Sequence, residues 1–418
     1  MNSPWAGQLG ALVLIYPLGL SLIWCLLALL WSWRCEWPER WQRQPPASQA
    51  EPPVSVLIPC FNEGPNLQET LQAALDLVWG DWEVIAINDG SSDDTGPLLE
   101  AMARVQPRLR VVHLASNQGK ALALRAGALL ARHELLVCID GDALLDRHAV
   151  GWMVRHFQRD PKLGAVTGNP RIRNRSTLLG RLQVGEFSMI VGLIKRAQSF
   201  LGGLFCVSGV IGCFRRTALH AVDYWDPTRL TEDIDITWRL QRAGWSVRYE
   251  PHALVWILMP ETLSGLWRQR RRWADGGLQV LVANLNLLGQ PRQWRLLPLL
   301  LEPILSLLWA HLLALLLLLT ALTPLLQGRS VISLAAVVPQ GLSLALLLAC
   351  GLQVGISLWL DRPYDVGLKR IAFWMIWYPA AYWLLTFCAS LWACWRAPLQ
   401  RLGPQRARWV SPDRGVRA

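Results

Sequence analysis

Long apolar stretches sit at the two ends of this chain and leave a mixed, polar-punctuated middle. Residues 10–33 form one such stretch, and the region after residue 297 holds the others. The run 312–319 is leucine at every position but Ala314, too long and uniform in its surroundings for a core helix of a soluble protein. A helix needs about 20 mostly apolar residues to cross the hydrocarbon layer. The predicted organisation is a tail (1–9), a transmembrane helix (10–33), a linker (34–53), a globular domain (54–260), an amphipathic interface segment (261–290), three further spans (297–323, 331–360, 371–394) and a basic tail (395–418). Pro45-Pro46 and Pro52-Pro53 mark the linker.

Orientation follows from charge. No Lys or Arg precedes the first apolar stretch, whereas Arg34, Arg40 and Arg43 follow it, so the domain is expected on the cytoplasmic side. A cleaved signal peptide would need a basic start and a small-residue cleavage site, and neither is present. One span before the domain and three after it put the tail outside, yet Arg396, Arg401, Arg406, Arg408, Arg414 and Arg417 argue for inside. A re-entrant last segment at Pro379, or a hairpin within one apolar block, would resolve this.

The formal net charge is +11, mostly from arginine. The basic residues gather at membrane edges and in 268–272, and no nucleic-acid motif accompanies them. Anionic lipid headgroups and a nucleotide diphosphate are the better match. The nine cysteines show no zinc-like spacing, which fits free thiols in a reducing compartment.

The middle of the chain alternates in period. Strands are predicted at 54–59, 83–87, 109–114 and 135–139, with helices at 66–77, 96–105 and 119–131 between them. That alternation predicts a doubly wound, mostly parallel α/β domain. Ligands on such sheets sit beyond the C-terminal ends of the strands. Asp89 and Asp140 each follow a strand and are expected to converge there.

Asp140 and Asp142, in Asp140-Gly141-Asp142, can present two carboxylates to one hard cation. The same triplet is also good turn chemistry. Lys120 opens a helix, where an ammonium and the helix N-terminus together attract phosphate, although a solvated lysine is the plainer alternative. Asp93, Asp94 and Thr95 can cap the following helix, so the Asp89 loop also has a purely structural reading. Leu263, Leu266, Trp267, Arg270, Trp273 and Leu278 alternate apolar and basic character at near-helical spacing, as in a helix lying on a membrane surface.

The motifs resemble, in type and order, those of the processive family 2 glycosyltransferases, which build cellulose, hyaluronan, chitin and poly-N-acetylglucosamine at a membrane. They are Ile87-Asn88-Asp89-Gly90, Cys138-Ile139-Asp140-Gly141-Asp142, Thr231-Glu232-Asp233 and Gln269-Arg270-Arg271-Arg272-Trp273. Longer strings at 138–147, 166–172, 231–236, 256–262 and 405–415 are similar to those of the bacterial poly-β-1,6-N-acetyl-D-glucosamine synthases. The resemblance implies a GT-A-type catalytic domain, UDP-N-acetylglucosamine as donor, a growing polysaccharide as acceptor and Mg²⁺ or Mn²⁺ as cofactor. It implies Asp89, Lys120, Asp140 and Arg272 at the nucleotide and diphosphate, with Asp142 and Asp140 as metal ligands. It makes Asp233 the base with Glu232 beside it, and Gln269 and Trp273 acceptor contacts. Asp235 is expected to be structural. An inner-membrane location, a small two-span partner subunit and cyclic di-GMP control through that complex also follow from it, although no cyclic di-GMP motif is visible in this chain. The resembling enzymes carry two spans before the domain where this chain shows one. The rivals are another processive product, a single transfer to a lipid phosphate, and a non-catalytic membrane scaffold.

Overall fold

The computed structural model describes residues 4–47, 50–326, 341–376 and 378–397. Eight strands form one sheet in the order β3-β2-β1-β4-β7-β6-β8-β5. They are β1 (Val54–Cys60), β2 (Trp82–Asn88), β3 (Leu109–His113), β4 (Leu135–Ile139), β5 (Leu144–Leu145), β6 (Leu163–Ile172), β7 (Ile211–Arg215) and β8 (Ser246–Ile257). Every residue of β1, β2 and β4 is buried, as expected of parallel strands covered on both faces. Helices α2 (Gly64–Leu75), α3 (Thr95–Val105) and α4 (Lys120–Leu130) provide the crossovers of this half, at the positions the sequence predicts. Before them the chain forms α1 (Pro4–Trp31).

The second half of the mostly parallel sheet adds the antiparallel pairings. After β5 come α5 (Ala149–Arg159), β6, α6 (Leu178–Phe187), a π-helical segment (Ser188–Leu193), and α7 (Ile194–Phe200). This excursion leaves and rejoins the sheet at the same end, so β7 runs antiparallel to both β4 and β6. The pairing of Ile139 with Ile211 then sets residues 208–210 beside Asp140. Helix α8 (Arg216–Ala221) and α9 (Glu232–Arg242) follow, and β8 closes parallel to β6.

Beyond the sheet lie α10 (Leu263–Ala283), two 3₁₀ turns, α11 (Leu297–Leu326), α12 (Leu342–Asp361), α13 (Leu368–Ile371) and α14 (Tyr378–Arg396). Among the described residues, three stretches are long and apolar enough to cross a membrane: Gln8–Glu36, Pro291–Leu322 and Leu342–Asp361. The expected span 331–360 is seen only from Gly341 onward. The expected span 371–394 is divided by a 3₁₀ turn at Ala372–Ile376 and resumes as α14, which packs on α10 and α11. Most of the basic tail, from residue 398 on, lies outside the described residues.

Charged side chains fasten the sheet domain to the apolar helices. Asp361, at the end of α12, accepts from Arg171 at 2.5 Å and from Arg196 at 2.7 Å. Arg196 also donates to both oxygens of Glu36, at 2.7 and 3.0 Å. Arg171 reaches Asp365 at 3.3 Å and Arg175 reaches it at 2.6 Å, while Tyr364 donates to Glu36 at 2.7 Å. Arg171 and Arg196 come from the sheet domain; Glu36 and Asp361 come from the ends of apolar helices. All four side chains are fully buried. The basic run 268–272 is not one solvated face either, because Arg270 turns inward to pair with buried Glu186 at 2.7 Å.

Candidate active site

Lys120, Asp140, Glu232 and, through Gly209, Asp233 meet beyond the C-terminal ends of the central strands. Asp89 follows β2, and its two carboxylate oxygens accept from Gln118 N–H and Gly119 N–H, each at 2.8 Å. Burial pushes its pKa above the ordinary carboxylate value, against the pull of those two donors. Gly90 has φ +67° and lies against the backbone of Ser116, so a side chain there would collide with it. Asp89 therefore fixes the loop that delivers Lys120. It stands two strands from Asp140, about 10 Å at ordinary strand spacing.

Lys120 is the hub. Its ammonium lies 2.5 Å from Asp140 Oδ1 and 3.3 Å from Glu232 Oε1, and donates to the Gly209 carbonyl at 3.0 Å. Burial disfavours its charge, but Asp140, Glu232 and Asp233 outweigh that and hold its pKa above the ordinary lysine value. The plainer reading of a solvated lysine does not match this environment. Gly141 makes the tight turn possible, since a Cβ there would approach Glu63 Cγ to 2.9 Å and the Pro59 carbonyl to 3.0 Å. Asp142 is buried beyond it, and burial, then the Asp140 carboxylate, pushes its pKa up to about 7.

Two adjoining carboxylates that resist shared ionisation suit a divalent cation. Among the described residues no group of three or more His, Cys, Asp or Glu side chains could hold a metal alone. Mg²⁺-type sites usually take one or two carboxylates and complete their shell with substrate phosphates and water. Asp140 and Asp142 would be the protein's share.

Asp233 lies in the first turn of α9. Its Oδ2 accepts from Gly209 N–H at 3.1 Å and its Oδ1 from Ile234 N–H at 2.9 Å. Asp235 faces away and pairs with Arg239 at 2.7 Å and Arg229 at 3.4 Å, a structural role as expected. Helix α10 comes close because residue 276 is glycine: a Cβ there would meet Thr231 Cγ2 at 2.4 Å. On α10, Gln269 Oε1 is buried with no hydrogen-bond partner among the described residues. Arg272 is exposed. Trp273 packs partly buried on the core, with the Arg270 guanidinium 4.4 Å from its ring centroid.

The sequence reading missed the loop 203–210 before β7. Leu204 and Phe205 N–H are held by Gln241 and Gln198, Val207 N–H by Thr237, and Gly209 by Asp233. Its only sequence signal is Phe205-Cys206-Val207-Ser208-Gly209 directly before a strand.

Residues 52–276 match the family described as Glycosyltransferase like family 2. That span is more than half of the chain and holds every carboxylate of the candidate site. The chain belongs to glycosyltransferase family 2. This family 2 chain is similar to the poly-beta-1,6-N-acetyl-D-glucosamine synthase of Staphylococcus epidermidis, 35% identical over 408 residues, covering 96% of this chain and 98% of that one. It is also similar to the synthase of that name from Staphylococcus aureus (strain COL), 35% identical over 404 residues with the same coverage. A solved mannosyltransferase from Pyrobaculum calidifontis, in complex with GDP-Man and Mn²⁺, shares its fold with TM-score 0.57 at 21% identity, over 91% of this chain and 98% of that one. The family 2 chain is a glycosyltransferase with a GT-A-like mixed sheet and apolar helices suited to a membrane.

Proposed function

We propose that this glycosyltransferase is a processive, inverting polysaccharide synthase that transfers N-acetylglucosamine from UDP-N-acetylglucosamine to a growing poly-β-1,6-N-acetyl-D-glucosamine chain. Near-full-length similarity to synthases of that name supports the polymer. The observation that carries the chemistry is Lys120 spanning Asp140 and Glu232, because it joins the donor carboxylates and the base motif in one crevice.

In this reading Asp233 takes the proton of the acceptor hydroxyl while that oxygen bonds to the anomeric carbon from the face opposite the leaving group. The bond from that carbon to the diphosphate oxygen breaks, and UDP leaves with the electron pair. Gly209 N–H and Ile234 N–H hold the Asp233 carboxylate in place. Asp140 and Asp142 would hold Mg²⁺ or Mn²⁺, which would supply charge neutralisation at the diphosphate. Lys120 and Arg272 add cationic donors to the same group, and the loop fixed by Asp89 orients the nucleotide. Gln269, whose buried carbonyl has no partner among the described residues, accepts from an acceptor hydroxyl, and Trp273 offers an apolar ring to the terminal sugar.

The buried Arg171 and Arg196 ion pairs hold the sheet domain against the helix ends, and passage of the chain through those helices belongs to the same reading. An inner-membrane location with a cytoplasmic domain, a small two-span partner and cyclic di-GMP control belong to the same reading. A donor panel with the purified protein tests it. UDP-N-acetylglucosamine is expected to be turned over with polymer formed, and UDP-glucose, UDP-glucuronate and GDP-mannose are not. Polymer from another of these donors would reassign the product.

A further inference from the structure

Lys195, at the second position of α7, is a buried cation that the scheme above leaves unused. Its ammonium donates to Ser208 Oγ at 2.7 Å and Thr167 Oγ1 at 2.9 Å, and lies 5.9 Å from the Tyr249 ring centroid. Among the described residues it forms no ion pair. A buried ammonium without a paired carboxylate is costly to keep. Burial accordingly pushes its pKa down to about 8, against the pull of Cys206 and Asp233.

Its contacts lead directly to the proposed base. Ser208 N–H donates to Thr167 Oγ1 at 2.9 Å, so Lys195 and Thr167 grip both ends of that residue. The next residue, Gly209, donates to Asp233 Oδ2 at 3.1 Å and accepts from Lys120 at 3.0 Å. A Cβ at Gly209 would stand 3.1 Å from both of those side chains, so the loop passes tightly between them. The Cys206 thiol, in the same loop, donates to the Val207 carbonyl at 3.3 Å. The groups facing this path are Asp233 and Glu232 from α9, Cys206 from the loop, Tyr249 from β8 and Lys120 from α4. Arg196, next to Lys195 on α7, is engaged by Glu36 and Asp361.

We propose that Lys195 is a positioning residue for glycosyl transfer: it fixes the 206–209 loop so that Gly209 N–H holds Asp233 toward the acceptor, and its charge attracts the Asp233 side chain. This rests on the reading of Asp233 as the base. Lys195 acts through Ser208 and Gly209 and reaches the reaction only by way of Asp233. Because its ammonium is present below its pKa, this support is present at neutral pH and is lost as pH rises through about 8.

The test uses the full chain in detergent or nanodiscs with UDP-N-acetylglucosamine, reading UDP release across pH and UDP affinity by calorimetry. Lys195→Met is expected to lower kcat about 10–100-fold, the scale of a misplaced catalytic group, with UDP affinity unchanged. It is also expected to lose the wild-type fall in rate above about pH 8. Lys195→Arg, which keeps the charge, is expected to recover much of the rate and carry it to higher pH. Ser208→Ala is expected to lose rate but keep the alkaline fall. Asp233→Asn, run alongside, reports the base. If Asp233→Asn is inactive while Lys195→Met has wild-type kcat and pH profile, the proposal is overturned and the base stands. If Asp233→Asn is active, the base reading fails and the proposal falls with it. Should Lys195→Met not fold, wild-type kcat and profile in both Lys195→Arg and Ser208→Ala would equally overturn it.

Discussion

Replacing Asp361 with alanine tests how the sheet domain is fastened to the apolar helices. The cluster balances three guanidinium groups (Arg171, Arg175, Arg196) against three carboxylates (Glu36, Asp361, Asp365). Asp361→Ala leaves one positive charge uncompensated among fully buried side chains and removes contacts of 2.5 and 2.7 Å. Removing one partner of a buried ion pair typically costs about 3–5 kcal/mol. Each arginine keeps a second carboxylate, so the lower end, about 3 kcal/mol, is expected here. For a domain of this size that is about 6–12 °C in apparent Tm. Gly192→Ala attacks the same point without changing charge, since a Cβ there would approach Asp361 Oδ2 to 2.3 Å. Asp365→Asn weakens both the quarter-exposed Arg175 pair and the longer 3.3 Å contact with buried Arg171, and is expected to cost about 1–2 kcal/mol, less than Asp361→Ala. Thermal unfolding in detergent, followed by tryptophan fluorescence at fixed salt and pH, ranks the three. Wild-type stability in both Asp361→Ala and Gly192→Ala would refute the idea that this cluster clamps the domain to the helices.

Further substitutions address the site itself. Asp142→Asn is expected to lower polymer synthesis about 100-fold or more, the loss of several kcal/mol of metal-borne charge stabilisation. EDTA should reproduce that loss in wild type and Mg²⁺ or Mn²⁺ should reverse it, read as labelled polymer. Trp273→Ala should shorten the polymer more than it weakens UDP binding; unchanged length and yield on gels would reduce Trp273 to an anchor. Gly276→Ala should lower activity about 10-fold by driving α10 off Thr231. Gly277→Ala, whose Cβ would meet nothing within 4 Å, should not, and equal rates of UDP release in the two variants would contradict the packing account.

How much of this was legible in the sequence differs between the halves of the sheet. The strands 54–59, 83–87, 109–114 and 135–139 announced themselves as short apolar runs between helical periods, and the structure places them within a residue or two. Strand β6 did not, because Gly164, Gly168, Pro170 and Arg171 break any apolar alternation, and its form depends on β8 and β7 beside it. The antiparallel β7 followed from where the excursion through α6 and α7 returns, which no local pattern states. Asp140, Asp142, Asp233 and Lys120 were legible as polar residues at element ends. For Asp89 the sequence could not show that its oxygens are taken by the loop before Lys120. Lys195 was hidden because its surroundings come from residues 167, 208 and 249. The Arg171, Arg196, Glu36 and Asp361 cluster joins positions 160 or more apart in sequence.

The most direct test of the proposed activity is product identity. Membranes carrying the chain, with a matching Asp233→Asn control, are incubated with radiolabelled UDP-N-acetylglucosamine and Mg²⁺, and the retained label is treated with a β-1,6-specific poly-N-acetylglucosamine hydrolase. The account predicts high-molecular-weight label from the wild type only, released as short oligomers by that enzyme. Polymer that resists the enzyme, or label retained equally by Asp233→Asn, would contradict it.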